Sequence, residues 1–402
     1  MKTEVLNQVS DRLNRLSESA TIAMARKSRE LKAQGIDVIS LSLGEPDFNT
    51  PDFIKEAAND AIEQNYTKYM AVNGYEDLRE AISYKFKRDN GLDYHPDQIV
   101  VSTGAKQSIA NVVMSIVNPG DEVIIPKPYW VTYEEIVKMA EGIPVYVDAT
   151  IENDFKITPN ELADAITSKT RLMIYSSPCN PTGSVYSEDE LRELSKVIAQ
   201  FPNLIVISDE IYEHINFEGH HTSLAQFPEV YDQVVTINGV SKAFAMTGWR
   251  LGYIGAPKWI ADACTKIQGQ FTSGASSISQ RAAKAAVEAD PSVTFAMRDA
   301  FMKRRELVLN QLKEIPGIKT NTPGGAFYVF PDISAFYGKS DGTNYINNAD
   351  DLSLYLLAKA NVALVTGSAF GAPNCIRISY AASENELTEA IRRIKDALSV
   401  LQ

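Results

Sequence analysis

Cysteine is scarce in this chain. Only Cys179, Cys264 and Cys375 occur in 402 residues, far apart and without a CxxC pair. That excludes a disulfide framework and a cysteine-based zinc site, and it fits a reducing compartment, the cytoplasm by default. No run of about 18 apolar residues occurs, so no membrane-crossing helix is expected. The opening MKTEVLNQVSDRLNRL has no apolar h-region of a secretory leader. Positive charge is in deficit: 39 Lys and Arg stand against 51 Asp and Glu, a net charge of −12. So acidic a chain argues against nucleic acid or a membrane surface as partner. Of the 4 histidines, His214, His220 and His221 cluster in EHINFEGHH, but no HExxH spacing accompanies them. They read as decoration of a surface loop.

What is present is an ordinary globular composition, 45% hydrophobic and 22% charged. The length exceeds the roughly 250–300 residues at which one core stops growing, so two domains are expected. Apolar strand-like runs fall at 98–102, 121–125, 143–147, 171–175, 203–207, 234–238 and 252–255. Helical periodicity separates several of them, at 104–117, 130–140 and 187–200. The last starts at Ser187 with Glu190 at the third helical position, a capping box. Such alternation predicts an α/β fold built on a mostly parallel sheet covered on both faces. From about 291 the pattern changes to a long helix (291–314), short strands at 326–330, 362–365 and 375–379, and helices near 350–360 and at 383–400. A helix at 20–33 and a strand at 38–42 precede the large sheet. The expected division is a large domain at 49–290 and a smaller α/β domain made of 1–48 and 291–402.

Several short stretches carry chemistry. NGVSKAFAMTGWR (238–250) follows a strand and sets Lys242 among small and apolar neighbours, with Arg250 eight residues on. A lysine losing hydration has its pKa drawn from about 10.4 toward neutrality, which serves a nucleophile; a surface lysine after a strand is the plainer reading. SSPCNPTG (176–183) holds Asn180 in a segment that would also turn without any ligand. SDEIYE (208–213) places Asp209 and Tyr212 at the carboxyl end of a strand, where open α/β sheets bind ligands, although Asp209 could equally cap a helix. STGAKQ (102–107) opens a helix, whose free N–H groups at Gly104 and Ala105 suit a phosphate. Trp130 in PYW reads as a stacking ring or as core. Arg377 in CIRISYA offers a bidentate fork for a carboxylate, or an ion pair on an edge strand.

Taken together and in this order, these segments resemble the class I pyridoxal-phosphate aminotransferases over roughly residues 40–380. The resemblance implies the fold type I architecture, a large domain with a seven-stranded, mostly parallel sheet plus a smaller α/β domain. It implies pyridoxal 5'-phosphate as cofactor, bonded to Lys242, which is also the catalytic base. It assigns Arg250, Gly104, Ala105 and Lys106 to the phosphate region and Trp130 to stacking on the ring. Asp209 would face the pyridinium nitrogen, where a carboxylate keeps the ring protonated. Tyr212 and Asn180 would meet the ring oxygen, and Arg377 and Asn180 the substrate carboxylate. Tyr69, in KYMAVNGYEDLR, would reach the phosphate of a neighbouring subunit, so a homodimer with shared sites is implied. One departure is Gly239, three before the lysine, where many members carry a serine for the phosphate.

SESATIA (17–23) and GEPDF (44–48) are similar to the bacterial aspartate aminotransferase subgroup called Iγ or 1b. There the distal carboxylate of aspartate meets two hydroxyls and a lysine, here Ser19, Thr21 and Lys106, while the Gly44 N–H meets the α-carboxylate. The implied reaction moves an amino group between aspartate or glutamate and a 2-oxo acid in two half-reactions. Prephenate, aromatic or alanine-type preference is the alternative. A cofactor-binding transcriptional sensor is the competing class; it would need a DNA-binding domain ahead of the aminotransferase part, and the match already begins within about 20 residues of Met1. Cys179, beside Asn180, has no histidine near it in sequence and reads as packing near the cofactor.

Overall fold

A computed structural model describes residues 9–402. Strand β1 (Ile39–Ser40) comes first. It is followed by β2 (Ile99–Ser102), β3 (Glu122–Lys127), β4 (Ile143–Asp148), β5 (Thr170–Ser176), β6 (Ile205–Asp209), β7 (Val234–Gly239) and β8 (Gly252–Gly255). Strands β9 (Tyr328–Val329), β10 (Val362–Ala363), β11 (Val365–Thr366) and β12 (Ile376–Ser379) complete the set.

Seven strands form the large sheet in the order β2-β8-β7-β6-β5-β3-β4. All seven fall on the runs read from sequence, within a residue or two. Only β8 runs against its neighbours, β2 and β7. Because it opposes both, β2 points the same way as the other five, and the carboxyl ends of β2, β5, β6 and β7 share one edge of the sheet.

Side-chain alternation shows why the sheet is covered on both faces. Val206 and Val234 enter one apolar cluster, while Ile205, Ile207, Val235 and Ile237 enter another. A strand with both faces buried needs apolar residues at odd and even positions alike. The first cluster takes helices Asp52–Glu63, Glu76–Asn90, Glu188–Ile198 and Ser277–Glu288, and the second takes Ala105–Ile116, Thr132–Met139 and Lys258–Phe271. Helix Glu188–Ile198 starts with the Ser187–Glu190 capping box.

A separate apolar cluster is built from helices Phe295–Leu312, Ala349–Lys359 and Glu384–Ser399 around a β11-β12-β9 antiparallel sheet. Here the structure refines the sequence reading. The run at 362–365 is two strands: β10 pairs in parallel with β1, and β11 pairs with β12 in a different sheet. Leu364 between them is fully buried. The 291–314 segment opens as a 3₁₀ turn (Pro291–Thr294) before the α-helix begins at Phe295. Among the described residues no helix is long and apolar enough to cross a membrane.

Gly252 on β8 shows how tightly the sheet supports the Gly104–Ala105 turn. A Cβ at Gly252 would meet the Gly104 carbonyl carbon at 2.7 Å and strike the Ala105 nitrogen. Gly252→Val is therefore expected to lower folding stability by about 2–3 kcal/mol, an overpacking cost read from the urea or thermal midpoint. An unchanged midpoint would show that the turn does not rest on this strand.

Candidate active site

A cleft of about 440 Å³ opens at the shared carboxyl edge of the large sheet. Asp209 ends β6, Asn180 lies four residues past β5, Lys242 three past β7 and Gly104 two past β2. Arg377 reaches the same cleft from β12, and Ser19 and Thr21 reach it from the start of helix Ala20–Ala33. The structure thus gathers nearly all the residues singled out in the sequence. Tyr69 is apart: it is 99% exposed and does not line this cleft.

Lys242 Nζ donates to the Gly44 carbonyl oxygen and lies 5.7 Å from the Tyr212 ring centre and 5.9 Å from that of Phe327. Loss of hydration draws its pKa down to about 8. Glu45 opposes that shift, Arg377 and Arg250 add to it, and Asp209 opposes it. Gly44 thus turns its carbonyl toward Lys242, a contact that the sequence reading of its N–H did not anticipate.

Asp209 is buried, and burial lifts its pKa to about 6. Opposing this, the Tyr133 hydroxyl donates to Oδ2 at 2.6 Å and the Ile211 N–H donates to Oδ1 at 3.3 Å. The segment after Asp209 is a run of turns, not the capped helix that was the alternative. Tyr212 shares a hydrogen bond of 2.8 Å with the Tyr328 hydroxyl.

Arg377 is only 1% exposed. It donates to Asn180 Oδ1 at 2.8 Å and to the Ser42 carbonyl, and its Nε–H has no partner among the described residues. Its guanidinium stacks 4.5 Å from the Tyr328 ring centre and 4.9 Å from that of Phe370.

At the other end, helix Ala105–Ile116 starts at Gly104, whose φ is +84°. A Cβ on Gly104 would strike the Arg250 guanidinium, so glycine is what lets that charge sit against the turn. The Ala105 and Lys106 N–H groups have no partner among the described residues, as first-turn amides are free. Arg250 donates to the Thr247 carbonyl at 2.8 Å. Lys106 Nζ lies 5.1 Å from the Trp130 ring centre, and burial followed by the Arg250 charge draws its pKa down. Ser19 caps helix Ala20–Ala33 with its backbone alone, leaving its hydroxyl free of the cap.

Charge is the distinctive feature. Among the described residues, Lys106, Lys242, Arg250 and Arg377 line the cleft with only Glu45 and Asp209 as acids. None of the four cations forms a salt bridge among the described residues.

Some of this was missed in the sequence. Tyr133, Tyr328, Glu45 and Thr247 all line the cleft. Tyr133 stands three residues after Trp130, one helical turn on, Glu45 is next to Gly44 in GEPDF, and Thr247 lies between Lys242 and Arg250, all usable signals; Tyr328 had none. The histidine reading needs correction. Of the three clustered histidines His220 is exposed; His221 is buried with Nε2 at 3.0 Å from Glu210 Oε2, and half-buried His214 lies 3.2 Å from Glu213. Glu210 and Glu213 are buried and require buried partners, which sequence spacing does not reveal. Glu210, Glu213 and His221 lie together, but Lys85 and Asn90 already hold Glu213, and Ser208 and Ser223 hold Glu210. Cys179 is partly buried, its Sγ 3.9 Å from the Pro128 carbonyl.

Comparison with known proteins agrees with this geometry. Residues 36–394 match the family "Aminotransferase class I and II". The chain is 50% identical over 406 residues to a bifunctional aspartate aminotransferase and glutamate/aspartate-prephenate aminotransferase of Petunia hybrida, covering 100% of this chain and 85% of that one. It is 45% identical to an aspartate/prephenate aminotransferase of Nitrosomonas europaea, covering 98% and 100%. In structure it superposes with the aspartate aminotransferase of Rhizobium meliloti at a TM-score of 0.95 and 42% identity, covering 98% of this chain and 100% of that one. The Thermus thermophilus aspartate aminotransferase with maleate gives a TM-score of 0.92 at 38% identity, with the same coverage. The fold and site therefore define a transaminase of fold type I. The chain belongs to the class I and II aminotransferases.

The low pKa of Lys242 has a stability consequence. Its folded value of about 8 lies below the ordinary 10.5, so the folded chain holds fewer protons between those values and gains stability as pH rises across them. Below pH 8 the full cost of burying the charged amine remains. Without cofactor, Lys242→Met is expected to be more stable than the native chain at pH 7 by up to about 3 kcal/mol, with the gain vanishing near pH 10.5. Denaturant titrations across that range check it; a pH-independent difference would mean the amine is not held dry.

Proposed function

We propose that this chain is a pyridoxal-phosphate-dependent aspartate aminotransferase that moves the amino group of aspartate or glutamate to a 2-oxo acid. The observation that carries the reading is the set of four cations without salt-bridged acids in a cleft of an acidic protein. Such a site is built for ligands bearing several negative charges, and a phosphate plus the two carboxylates of aspartate supply them.

The cleft fits the cofactor. The free amides of Ala105 and Lys106, the glycine at 104 and the Arg250 guanidinium form a phosphate cradle at a helix start. The missing serine at Gly239 is consistent with this load falling on Arg250 and the turn. Trp130 offers a ring face, and Asn180 and Tyr212 offer polar contacts to the ring oxygen. Bound here, the cofactor supplies an electron sink for the substrate's α-carbon.

The chain's own residues do the rest. Lys242 Nζ, with a pKa of about 8, is partly neutral at working pH and is the residue that would hold the cofactor's carbonyl end. When free, the same nitrogen would serve as the base for the substrate's α-carbon proton. Asp209 would keep a proton at the ring nitrogen, and Tyr133 orients Asp209. Arg377, fixed by Asn180 and Ser42, clamps the α-carboxylate, with the Gly44 N–H beside it. Lys106 with the Ser19 and Thr21 hydroxyls receives the distal carboxylate. Two successive half-reactions give ping-pong kinetics.

We assign 49–290 to the large domain and 1–48 with 291–402 to the small one. Fully exposed Tyr69 is suited to reach the phosphate cradle of a second copy in a homodimer. Three free thiols are compatible with a reducing cytoplasm. A second reading, prephenate as amino acceptor, is favoured by the relatives at 45% and 50% identity whose names include it. Prephenate also carries two carboxylates.

The test is kcat/KM for a panel of amino donors against 2-oxoglutarate and prephenate. Aspartate and glutamate are expected to exceed neutral donors by about a hundredfold or more, because a neutral side chain leaves the Lys106 charge unpaired. Lys106→Ala should cost about a hundredfold with aspartate and under about fivefold with alanine. Equal losses would remove Lys106 from the distal subsite, and a preference for neutral donors would overturn the reading.

A further inference from the structure

Two buried phenols join the halves of the cleft. The hydroxyl oxygens of Tyr212 and Tyr328 lie 2.8 Å apart, and the side chains are 4% and 0% exposed. The Tyr328 ring at the same time packs under the Arg377 guanidinium at 4.5 Å. Gly44 makes room for this arrangement, since a Cβ there would strike the Tyr328 hydroxyl. One side chain therefore touches both the proposed substrate clamp and the tyrosine proposed to meet the cofactor ring oxygen.

A phenol has one proton to give and lone pairs to receive. In the free chain either oxygen of the pair can donate. Once Tyr212 directs its single proton to a bound ring oxygen, it can only accept from Tyr328. The Tyr328 hydroxyl has no other hydrogen-bond partner among the described residues, so the direction of the pair is fixed.

We propose that Tyr328 is a positioning residue of this aminotransferase site: its hydroxyl donates to Tyr212 and aims that proton at the cofactor's ring oxygen, while its ring holds Arg377 in place. The inference rests on the reading that Tyr212 faces the ring oxygen. A hydrogen bond received by Tyr212 polarises its O–H and makes it a stronger donor. A stronger donor draws negative charge off the ring oxygen. That charge favours the protonated form of the neighbouring nitrogen contributed by Lys242. Losing the Tyr328 hydroxyl must then raise the pH at which this nitrogen titrates, and it must leave the arginine's aromatic support alone.

The experiment loads the native chain, Tyr328→Phe, Tyr328→Leu and Tyr212→Phe with pyridoxal phosphate. It reads the pH midpoint of the visible absorption band and the Kd of maleate, a dicarboxylate that does not react. Tyr328→Phe should raise the midpoint by about half a pH unit. Its maleate Kd should stay within about threefold of native, because the stacked ring remains. Tyr212→Phe should move the midpoint further in the same direction. Tyr328→Leu should also lose about tenfold in maleate affinity, with circular dichroism confirming its fold. If Tyr212→Phe moves the midpoint and Tyr328→Phe does not, the hydroxyl's role is overturned. A Tyr328→Leu protein with native maleate affinity would overturn the ring's role; should that variant not fold, an unchanged maleate Kd in Tyr328→Phe beside a shifted midpoint still separates hydroxyl from ring. A midpoint unmoved by Tyr212→Phe, or no visible band in the native chain, overturns the underlying reading and the inference with it.

Discussion

Lys106, Lys242, Arg250 and Arg377 are held in one cleft without a salt-bridged carboxylate among the described residues, although the chain as a whole carries a net charge of −12. Like charges gathered in one cleft repel one another, and those that are buried also lose hydration. The directions of the pKa shifts express both costs: burial leads for Lys106, Lys242 and Arg377, and Arg250 adds to the first two. A fold that retains such an arrangement is stabilised when anions enter, because ligands that bind only the folded chain add their binding energy to its stability. The rest of the site follows from that constraint. Among the described residues Asp209 and Glu45 are the only acids lining the cleft, and Asp209 is engaged by Tyr133.

The large sheet explains how the charges come together. Four loops leave the same edge of parallel strands, so residues more than a hundred positions apart in sequence meet without long excursions. Arg377 arrives from the small sheet, and the Ser42 carbonyl that holds it lies just beyond β1, which pairs with β10. Arg377 is thereby mounted on a sheet different from the one whose edge carries Lys242. Aromatic faces replace counter-charges at two points, with Trp130 facing Lys106 and Tyr328 facing Arg377. Such faces attract a cation without neutralising it, which leaves the charge available to a ligand.

Much of this was legible from the chain alone. The strands of the large sheet announce themselves because burial on both faces demands continuous apolar runs, as in LIVIS at 204–208. Lys242, Asn180, Asp209 and Arg377 were legible because each stands in a short motif beside such a run. What stayed hidden depends on contacts across the fold. The antiparallel course of β8 is set by its neighbours, since GYIG reads alike in either direction. The split at Leu364 arises because a four-residue run is shared between two sheets. Tyr328 looks like core in GGAFYVF, and only the approach of Gly44 and Arg377 reveals its place. His221 was misread because its partner Glu210 is eleven residues away and both are buried by packing the motif does not encode.

The central claim is that the amine at 242 is dry, partly deprotonated and aimed into an anion-binding cleft. The most direct test is to mix the full chain with one equivalent of pyridoxal phosphate near pH 7.5, reduce with borohydride, and map the product by peptide mass. A single phosphopyridoxyl group on the peptide containing Lys242, blocked by excess inorganic phosphate, is the expected result. Label spread over the chain's exposed lysines, or none at position 242, would contradict the account.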